Sequence, residues 1–239
     1  MKKYINRLYK KDFNSYCNMI KNDLKNDKKR FIVTVNPETL MMSKKDEEVR
    51  RLLTNRAVSL VPDGIIVVKT SKWLKMPVKE RITGIELMQE LLNIANVNSY
   101  SMYLFGAKKD ILSTLVKRIK EEYPHINLLG ATDGYVKNKD AIMKKIIKLK
   151  PDICLVALGI PEQEKLILKY YDKAEKGIFM GVGGSFDVLS GCKKRAPRIF
   201  IKLNLEWLYR IIKEPKRLKR FYQYNLKYLF YVIKEIIFP

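Results

Sequence analysis

Residues 152–165, DICLVALGIPEQEK, contain the unit from which the fold is built. The short run of apolar and β-branched residues at its start is typical of a buried strand. Gly159 and Pro161 interrupt the run, and the polar residues from Glu162 onward begin a helical stretch. A buried strand followed directly by a helix is the repeating unit of a parallel α/β sheet.

The same alternation continues along most of the chain. Six runs predict strands: FIVTV (31–35), VSLVP (58–62), SMYLF (101–105), INLLG (126–130), DICLVAL (152–158) and GIFMGVG (177–183). Amphipathic stretches such as GIELMQELLNIAN and KKDILSTLVKRIKEEYP lie between them and predict helices. We therefore predict one Rossmann-like α/β domain over residues 1–192, with a mostly parallel sheet covered by helices on both faces.

Ligands of such sheets bind beyond the carboxyl ends of the strands, so the loops there hold the candidate site residues. Asp63, in VPDG, ends a predicted strand, and its carboxylate is a candidate general base. The alternative is that Asp63 caps a helix or forms a turn. Thr34 and Asn36 lie on the same side of the first strand and suit hydrogen bonding to a ligand, although the Asn36–Pro37 pair is equally typical of a turn.

Glycines after two predicted strands suggest phosphate-binding loops. Gly183, in GVGGSFD, and Gly106, in LFGAKKD, would let a phosphate approach backbone N–H groups at a helix start. Tight strand-to-helix turns explain both glycines equally well. GVGGSFD does not complete the GxGxxG fingerprint, which argues against a nicotinamide-dependent oxidoreductase. Gln163 is a candidate to bind a base or a sugar hydroxyl, with surface solvation as the alternative.

The chain is strongly basic, with 48 Lys and Arg against 25 Asp and Glu and a formal net charge of +23. This charge predicts an anionic partner, which leaves nucleic acid, a nucleotide or diphosphate, and an acidic membrane surface as alternatives. The charge is concentrated in residues 193–239, which hold 13 basic and 3 acidic residues together with 10 of the 25 aromatic residues.

We call residues 193–239 the C-terminal appendage. The pattern LEWLYRIIKE predicts an amphipathic helix that Pro215 limits, and a second basic, aromatic helix follows. Such helices on a closed α/β core are typical of an interfacial element rather than of a further core layer. A basic nucleic-acid-binding protein is the alternative, but the aromatic residues recur at helical spacing, unlike those of a base-stacking sheet. No apolar stretch reaches the about 18 to 20 residues of a membrane-spanning helix, and no secretory signal is visible.

The sequence contains few of the residues that disulfide, metal or histidine chemistry requires. The cysteines are Cys17, Cys154 and Cys192, an odd number without CxxC spacing, which disfavours a disulfide framework or a zinc site and predicts a reducing compartment. His125 is the single histidine, and the chain contains no Asp-x-Asp pair. We therefore expect no metal and no other cofactor. The charge of a diphosphate would then be neutralised by Arg, Lys and backbone N–H groups.

In combination, these segments resemble the WecG/TagA/CpsF family of bacterial glycosyltransferases. The resemblance extends from about residue 4 to about residue 225, and its motifs follow the order of the family. They are VTVNPETL, the block from VPDG to RITGIEL, LFGAKKD, GATDGY, VALGIPEQEK and the block from GVGGSFD through RAP and LEWLYR to PKRLKRF.

The resemblance implies transfer of an N-acetylmannosamine-type sugar from a UDP donor to the 4-hydroxyl of GlcNAc on undecaprenyl diphosphate, with inversion, for wall teichoic acid or another surface polysaccharide. It places the base on Asp63 and adds Arg81, as a cation beside the diphosphate, to the polar pocket of Thr34, Asn36 and Gln163. It further implies that arginines of the appendage bind the acceptor or its diphosphate: Arg195, Arg210, Arg217 and Arg220.

The family also implies a cytoplasmic enzyme whose appendage attaches it peripherally to the inner face of the plasma membrane. Its expected partners are the UDP-sugar, the lipid-linked GlcNAc diphosphate and an anionic membrane surface, not nucleic acid. A homo-oligomer remains an open alternative. Three residues depart from the family pattern, namely Ile66, Glu86 and Asn204, and the first two leave the identity of the donor sugar open.

Overall fold

The computed structural model describes residues 1–238 and contains a six-stranded sheet in which every strand pair is parallel. The strand order is β2-β1-β6-β5-β3-β4. The strands are β1 (Lys29–Val35), β2 (Val58–Pro62), β3 (Ser101–Gly106), β4 (Asn127–Thr132), β5 (Ile153–Ala157) and β6 (Gly177–Gly181). All six strands predicted from the sequence are present, and the α/β class is confirmed.

Helices connect the strands and cover the sheet. Those of the first 192 residues are α1 (Lys2–Ile5), α2 (Phe13–Lys25), α3 (Pro37–Met42), α4 (Glu47–Thr54), α5 (Ile65–Trp73), α6 (Gly84–Asn98), α7 (Lys109–Glu122), α8 (Lys139–Leu149), α9 (Glu162–Tyr171) and α10 (Ser185–Leu189). The appendage contains α11 (Arg198–Lys202), α12 (Glu206–Lys213), α13 (Arg217–Phe221), a π-helical turn (Tyr222–Leu226) and α14 (Lys227–Ile237).

Two hydrophobic clusters fill the two sides of the sheet because side chains alternate along each strand. On β1, Phe31 and Val33 belong to the cluster that we call the front core, and Ile32 belongs to the back core. The front core includes side chains of α3, α4, α8 and α9, and the back core includes those of α2, α6 and α7. The prediction of helices on both faces is therefore confirmed.

The position of the crevice follows from this topology. After β1 the chain enters α3, which packs in the front core through Leu40, whereas after β6 it enters α10, which packs in the back core through Phe186. Since β1 and β6 are neighbours, their outgoing chains diverge to opposite faces and leave a crevice at the carboxyl ends of the strands. The loops that carry Asn36 and Gly183 flank this crevice, and Asp63 follows the next strand outward.

The appendage forms helices on either side of Pro215, as the sequence predicts. Its last helix also contributes to the core, which the expectation of an interfacial element did not include. Tyr228 and Val232 of α14 are fully buried in the front core, and the Tyr228 hydroxyl lies 2.5 Å from Thr70 Oγ1 of α5. The apolar stripe of α14 is buried because it packs against α3 and α5. Within residues 1–238 no helix is both long and apolar enough to cross a membrane.

Candidate active site

Asp63 lies directly after β2, at the carboxyl edge of the sheet. Its backbone N–H donates to the carbonyl of Val35 at 2.9 Å, which fixes the residue beside the end of β1. The following helix, α5, begins at Ile65, and its N-cap is Gly64 with φ of +111° and no side-chain capping bond. The Asp63 carboxylate therefore does not serve as the cap of α5 that the sequence left open as an alternative.

The surroundings of Asp63 favour a proton acceptor near neutral pH. Burial raises the pKa of its carboxyl group to about 6, while the positive charges of Arg81 and Arg210 lower this pKa and the negative charge of Glu206 raises it. The backbone N–H of Gly84 also stabilises the ionised form. The residue as a whole stays partly exposed, as expected of a group at the bottom of an open cleft.

Thr34 lies near the end of β1, the strand that neighbours β2. In the sheet register Thr34 pairs with Val61, two positions before Asp63. A Cβ placed on Gly84 would lie 3.6 Å from Thr34 Cγ2, so the start of α6 packs closely over the end of β1. The structure thus brings Thr34, Asp63 and the loop that carries Arg81 together at one edge.

Asn36 has the structural role that the sequence left open as an alternative to ligand binding. Its Oδ1 accepts hydrogen bonds from the backbone N–H of Thr39 at 3.0 Å and from Thr39 Oγ1 at 3.2 Å, so it caps α3. Pro37 occupies the first turn of the helix, where its missing N–H costs nothing. Asn36 nevertheless stays at the crevice between β1 and β6.

Gln163 is buried and connects two glycine loops. Its Oε1 accepts from the backbone N–H groups of Gly159 and Gly183, both at 3.1 Å, and its Nε2 donates to Glu164 Oε1 at 2.7 Å. The surface-solvation alternative is excluded by its 2% exposure. The amide holds the loops after β5 and β6 at a fixed distance across the sheet edge, with Gly183 in the left-handed region at φ of +49°.

Gly106 is explained by a close approach between strands. Its φ is +128°, and a Cβ at this position would lie 2.3 Å from the carbonyl oxygen of Ala157 on β5. No other residue type fits there without moving the backbone. This packing requires glycine at position 106 independently of any phosphate.

The four appendage arginines predicted to bind phosphate separate into two groups. Arg195 and Arg210 converge with Arg81 on Glu206, at distances of 3.8, 3.2 and 3.6 Å between guanidinium nitrogen and carboxylate oxygen. Arg195 also donates to Glu86 Oε1 at 2.7 Å. We call Arg81, Arg195 and Arg210 the arginine cluster.

The other two arginines have carboxylate partners outside this cluster. Arg217, at the start of α13, forms a pair at 2.8 Å with Glu214, which directly follows α12. Arg220 Nε donates to Glu38 in the first turn of α3 at 2.6 Å, which ties the appendage to the loop after β1. Arg220 therefore lies near the crevice, and Arg217 is part of an exposed local ion pair.

Sequence reasoning missed two buried carboxyl groups. Glu206 follows Leu205 at the start of an amphipathic helix, where an acidic residue is typical of any helix N-terminus, so the pattern carried no signal of burial. Glu164 lies below the glycine loops, where burial raises its pKa to about 7 and leaves Oε2 without a hydrogen-bond partner. Residues 1–238 contain no group of three His, Cys, Asp or Glu side chains arranged to hold a metal ion.

Comparison with known proteins identifies the same family that the sequence motifs resemble. The family model "Glycosyl transferase WecG/TagA/CpsF family" matches residues 5–239. A Bacillus subtilis (strain 168) protein named N-acetylglucosaminyldiphosphoundecaprenol N-acetyl-beta-D-mannosaminyltransferase is 43% identical over 204 residues, 85% of this chain and 79% of that protein. Proteins of the same name from Bacillus spizizenii (39% identity; 82% of this chain, 76% of that protein) and Staphylococcus aureus strain MW2 (42%; 80% and 74%) are similar over nearly the same length. The chain belongs to the WecG/TagA/CpsF family of glycosyltransferases.

Proposed function

We propose that this enzyme transfers an N-acetylmannosamine-type sugar from a UDP donor to the 4-hydroxyl of GlcNAc on undecaprenyl diphosphate, in the synthesis of wall teichoic acid or another cell-surface polysaccharide. The names of the related bacterial proteins support the sugar and the lipid acceptor. The single observation that carries the proposal is the position of one partly buried carboxylate, Asp63, within the electrostatic reach of Arg81 and Arg210.

In the proposed reaction Asp63 is the general base. With a pKa of about 6, its carboxyl group is about nine-tenths ionised at pH 7. The acceptor oxygen O4 forms a bond to the anomeric carbon C1 while its proton passes to Asp63. The bond between C1 and the UDP oxygen breaks, its electron pair leaves with the diphosphate, and the configuration at C1 inverts.

The arginine cluster supplies the positive charge for the diphosphate. A planar guanidinium donates two parallel hydrogen bonds to phosphate oxygens, and its charge persists at any physiological pH. We therefore propose catalysis without a metal ion or other cofactor, so that the rate stays unchanged when a chelator is added. Arg217 and Arg220 extend the proposed acceptor site along the appendage.

The remaining site residues bind or support the donor in this proposal. Thr34 and Asn36 present polar atoms at the crevice, beside the base. Gln163 acts through Gly183, because its hydrogen bond holds that loop where a phosphate would meet the backbone N–H groups. Gly106 keeps the neighbouring loop close to the sheet.

Substitution of the base provides the main test. Asp63→Asn should reduce the release of UDP by about 10²- to 10⁴-fold when UDP-N-acetylmannosamine and a short-chain GlcNAc diphosphate lipid are supplied together. Asp110→Asn, which removes an exposed carboxylate on α7, is the matched control and should keep the wild-type rate. A folded Asp63→Asn protein with an undiminished rate would exclude this residue as the base.

The pH dependence provides a second measurement on the wild-type enzyme. Because the base must be ionised, kcat/KM should fall as the pH drops below about 6, the pKa to which burial raises Asp63. A kcat/KM that falls only near pH 4, the ordinary pKa range of an aspartate, would contradict the proposed environment of the base. A panel of UDP-sugars in the same assay identifies the donor.

We further propose that the appendage attaches the enzyme to the inner face of the plasma membrane. Its outer side carries exposed apolar residues, including Phe230 at 65% and Ile237 at 62% exposure, among lysines and arginines that attract anionic lipids. Vesicles with anionic lipids should sediment the wild-type chain, more weakly at high salt. Phe230→Ser with Ile237→Ser should reduce sedimentation, whereas Tyr135→Ser, an equally exposed aromatic on the α/β domain, should not. Equal sedimentation of all three proteins would refute the role of the appendage.

A further inference from the structure

The buried side chain of helix α12 is a carboxylate. Glu206 is 6% exposed, whereas Trp207 and Ile212 of the same helix are exposed at 38% and 61%. Amphipathic surface helices ordinarily bury their apolar side chains and keep their charges in water. A buried carboxylate is tolerated where positive partners compensate its lost hydration. The orientation of α12 therefore depends on what Glu206 meets inside.

Glu206 meets three guanidinium groups that come from three separate segments. Arg81 belongs to the loop before α6, Arg195 to the segment between α10 and α11, and Arg210 to α12 itself. Arg81 and Arg195 are 114 positions apart in the sequence, and both contact the Glu206 carboxylate. The carboxylate thus joins the α/β domain to the appendage beside Asp63, whose pKa it influences together with Arg81 and Arg210.

The arginine cluster has N–H donors that hydrogen bonds to Glu206 do not satisfy. Each guanidinium has five N–H donors, and two carboxylate oxygens cannot satisfy three such groups. The distances of 3.6 Å from Arg81 and 3.8 Å from Arg195 are those of ion pairs without a close hydrogen bond. The Nε atom of Arg195 is buried and has no hydrogen-bond partner within the described residues. This unsatisfied donor indicates that the cluster is arranged for a further anion.

We propose that Glu206 is a positioning residue that preorganises Arg81, Arg195 and Arg210 into one binding site for a diphosphate group. The inference rests on the proposed function, in which the UDP donor and the lipid acceptor both carry that group. Without the Glu206 charge, the three guanidinium groups would repel one another with only the Arg195–Glu86 pair left to offset the repulsion, and the long side chain of Arg210, half-exposed at 53%, would extend into solvent. Binding the diphosphate would then require Arg81 and Arg210 to be ordered again.

A competing role for Glu206 predicts the opposite result. A carboxylate that merely neutralises the arginines repels an incoming anion, so its removal would tighten diphosphate binding. A positioning carboxylate holds the donors in place, so its removal weakens binding although the repulsion is also lost. The direction of the change in affinity therefore distinguishes the two roles.

The experiment measures the binding of inorganic diphosphate to the full-length chain by calorimetry. Glu206→Gln keeps the size of the side chain and removes its charge, and we expect about tenfold weaker binding by a chain that still folds and unfolds cooperatively. Glu122→Gln is the matched control, because it removes the carboxylate partner of Arg118 on the exposed surface of α7, and it should bind as the wild type does. Should Glu206→Gln fail to fold, Glu206→Asp keeps the charge at a shorter reach and should also weaken binding.

A double substitution separates positioning from a general effect on the fold. In an Arg210→Gln background, the Glu206→Gln change should weaken diphosphate binding by a smaller factor, because one of the arginines that Glu206 positions is gone. Equal or tighter binding by Glu206→Gln, fully additive effects, or a wild-type chain that does not bind diphosphate would each overturn the inference. If diphosphate binding behaves as expected and no sugar is transferred, the proposed reaction fails while the positioning role of Glu206 stands.

Discussion

Replacing Asp63 by asparagine should make the folded protein more stable at alkaline pH. Burial raises the pKa of this carboxyl from 3.8 to about 6, so ionisation is less favourable in the folded chain than in the unfolded one. Each pKa unit corresponds to about 1.4 kcal/mol, which gives a cost of about 3 kcal/mol at pH 8. Asparagine has nearly the same shape and no charge. Because Asp63 keeps partial contact with water, we expect a gain of about 2 kcal/mol in the free energy of unfolding.

The stability gained by Asp63→Asn should increase as the pH rises. A carboxyl whose pKa is higher in the folded state contributes stability at a pH below its unfolded value, and this contribution is lost as the pH rises through about 6. The difference between Asp63→Asn and the wild type should therefore be largest at pH 8 and nearly vanish by about pH 4.

Urea unfolding of both proteins across this pH range measures the difference, with Asp110→Asn as an exposed control that should change stability by less than about 0.5 kcal/mol. An Asp63→Asn protein that is less stable than the wild type at pH 8 would refute the assignment of a buried, destabilising charge. A gain of the same size at every pH would also refute it, because that gain would not come from ionisation. Together with the loss of activity, a confirmed gain would mean that the base is kept at the expense of stability.

Two further predictions concern the packing that supports the site. Tyr228→Phe removes the hydroxyl that lies 2.5 Å from Thr70 Oγ1 in the front core, and it should lower the free energy of unfolding by about 1 to 2 kcal/mol in urea. An unchanged stability would show that α14 does not depend on this bond. Gly106→Ala should cost more than about 2 kcal/mol, because its Cβ would lie 2.3 Å from the Ala157 carbonyl oxygen. Gly159→Ala, at φ of +85° with no atom within 4 Å, should cost about 1 kcal/mol from backbone strain alone, and equal losses at the two glycines would contradict the close approach.

The fold could be predicted from the sequence because each strand and each helix is indicated by residues that are close together in the chain. Each strand is a short apolar run and each helix an amphipathic stretch, so the pattern around residues 152–165 identifies one unit and its repetition identifies the sheet. Because ligands bind at the carboxyl ends of parallel strands, the sequence also predicts that Thr34 and Asp63 lie at the binding edge of the sheet. The structure places both residues at that edge.

The parts that the sequence did not predict depend on contacts between distant residues. Gln163 looks like an exposed residue in the first turn of a helix, and its burial follows from the loop of Gly183, 20 positions later. Tyr228 is one of several aromatics with helical spacing, and nothing in that spacing distinguishes the side chain that meets Thr70 from those that remain exposed. Periodicity identifies a face of a helix, but the neighbour that covers the face is set by the tertiary fold.

The environment of Asp63 is completed by the two parts of the chain together. The α/β domain provides the carboxylate, the Gly84 N–H and the positive charge of Arg81, and that charge opposes the increase in the pKa of Asp63 that burial causes. Docking of α12 adds Arg210 and Glu206, which act on that pKa in opposite directions. The appendage can therefore bring positive charge for a diphosphate to the base with a smaller loss of basicity, because the buried carboxylate that arrives on the same helix offsets part of the effect of Arg210. An arginine alone at that position would bind the anion and weaken the base, so the pairing of Glu206 with Arg210 reconciles the two requirements of the proposed reaction.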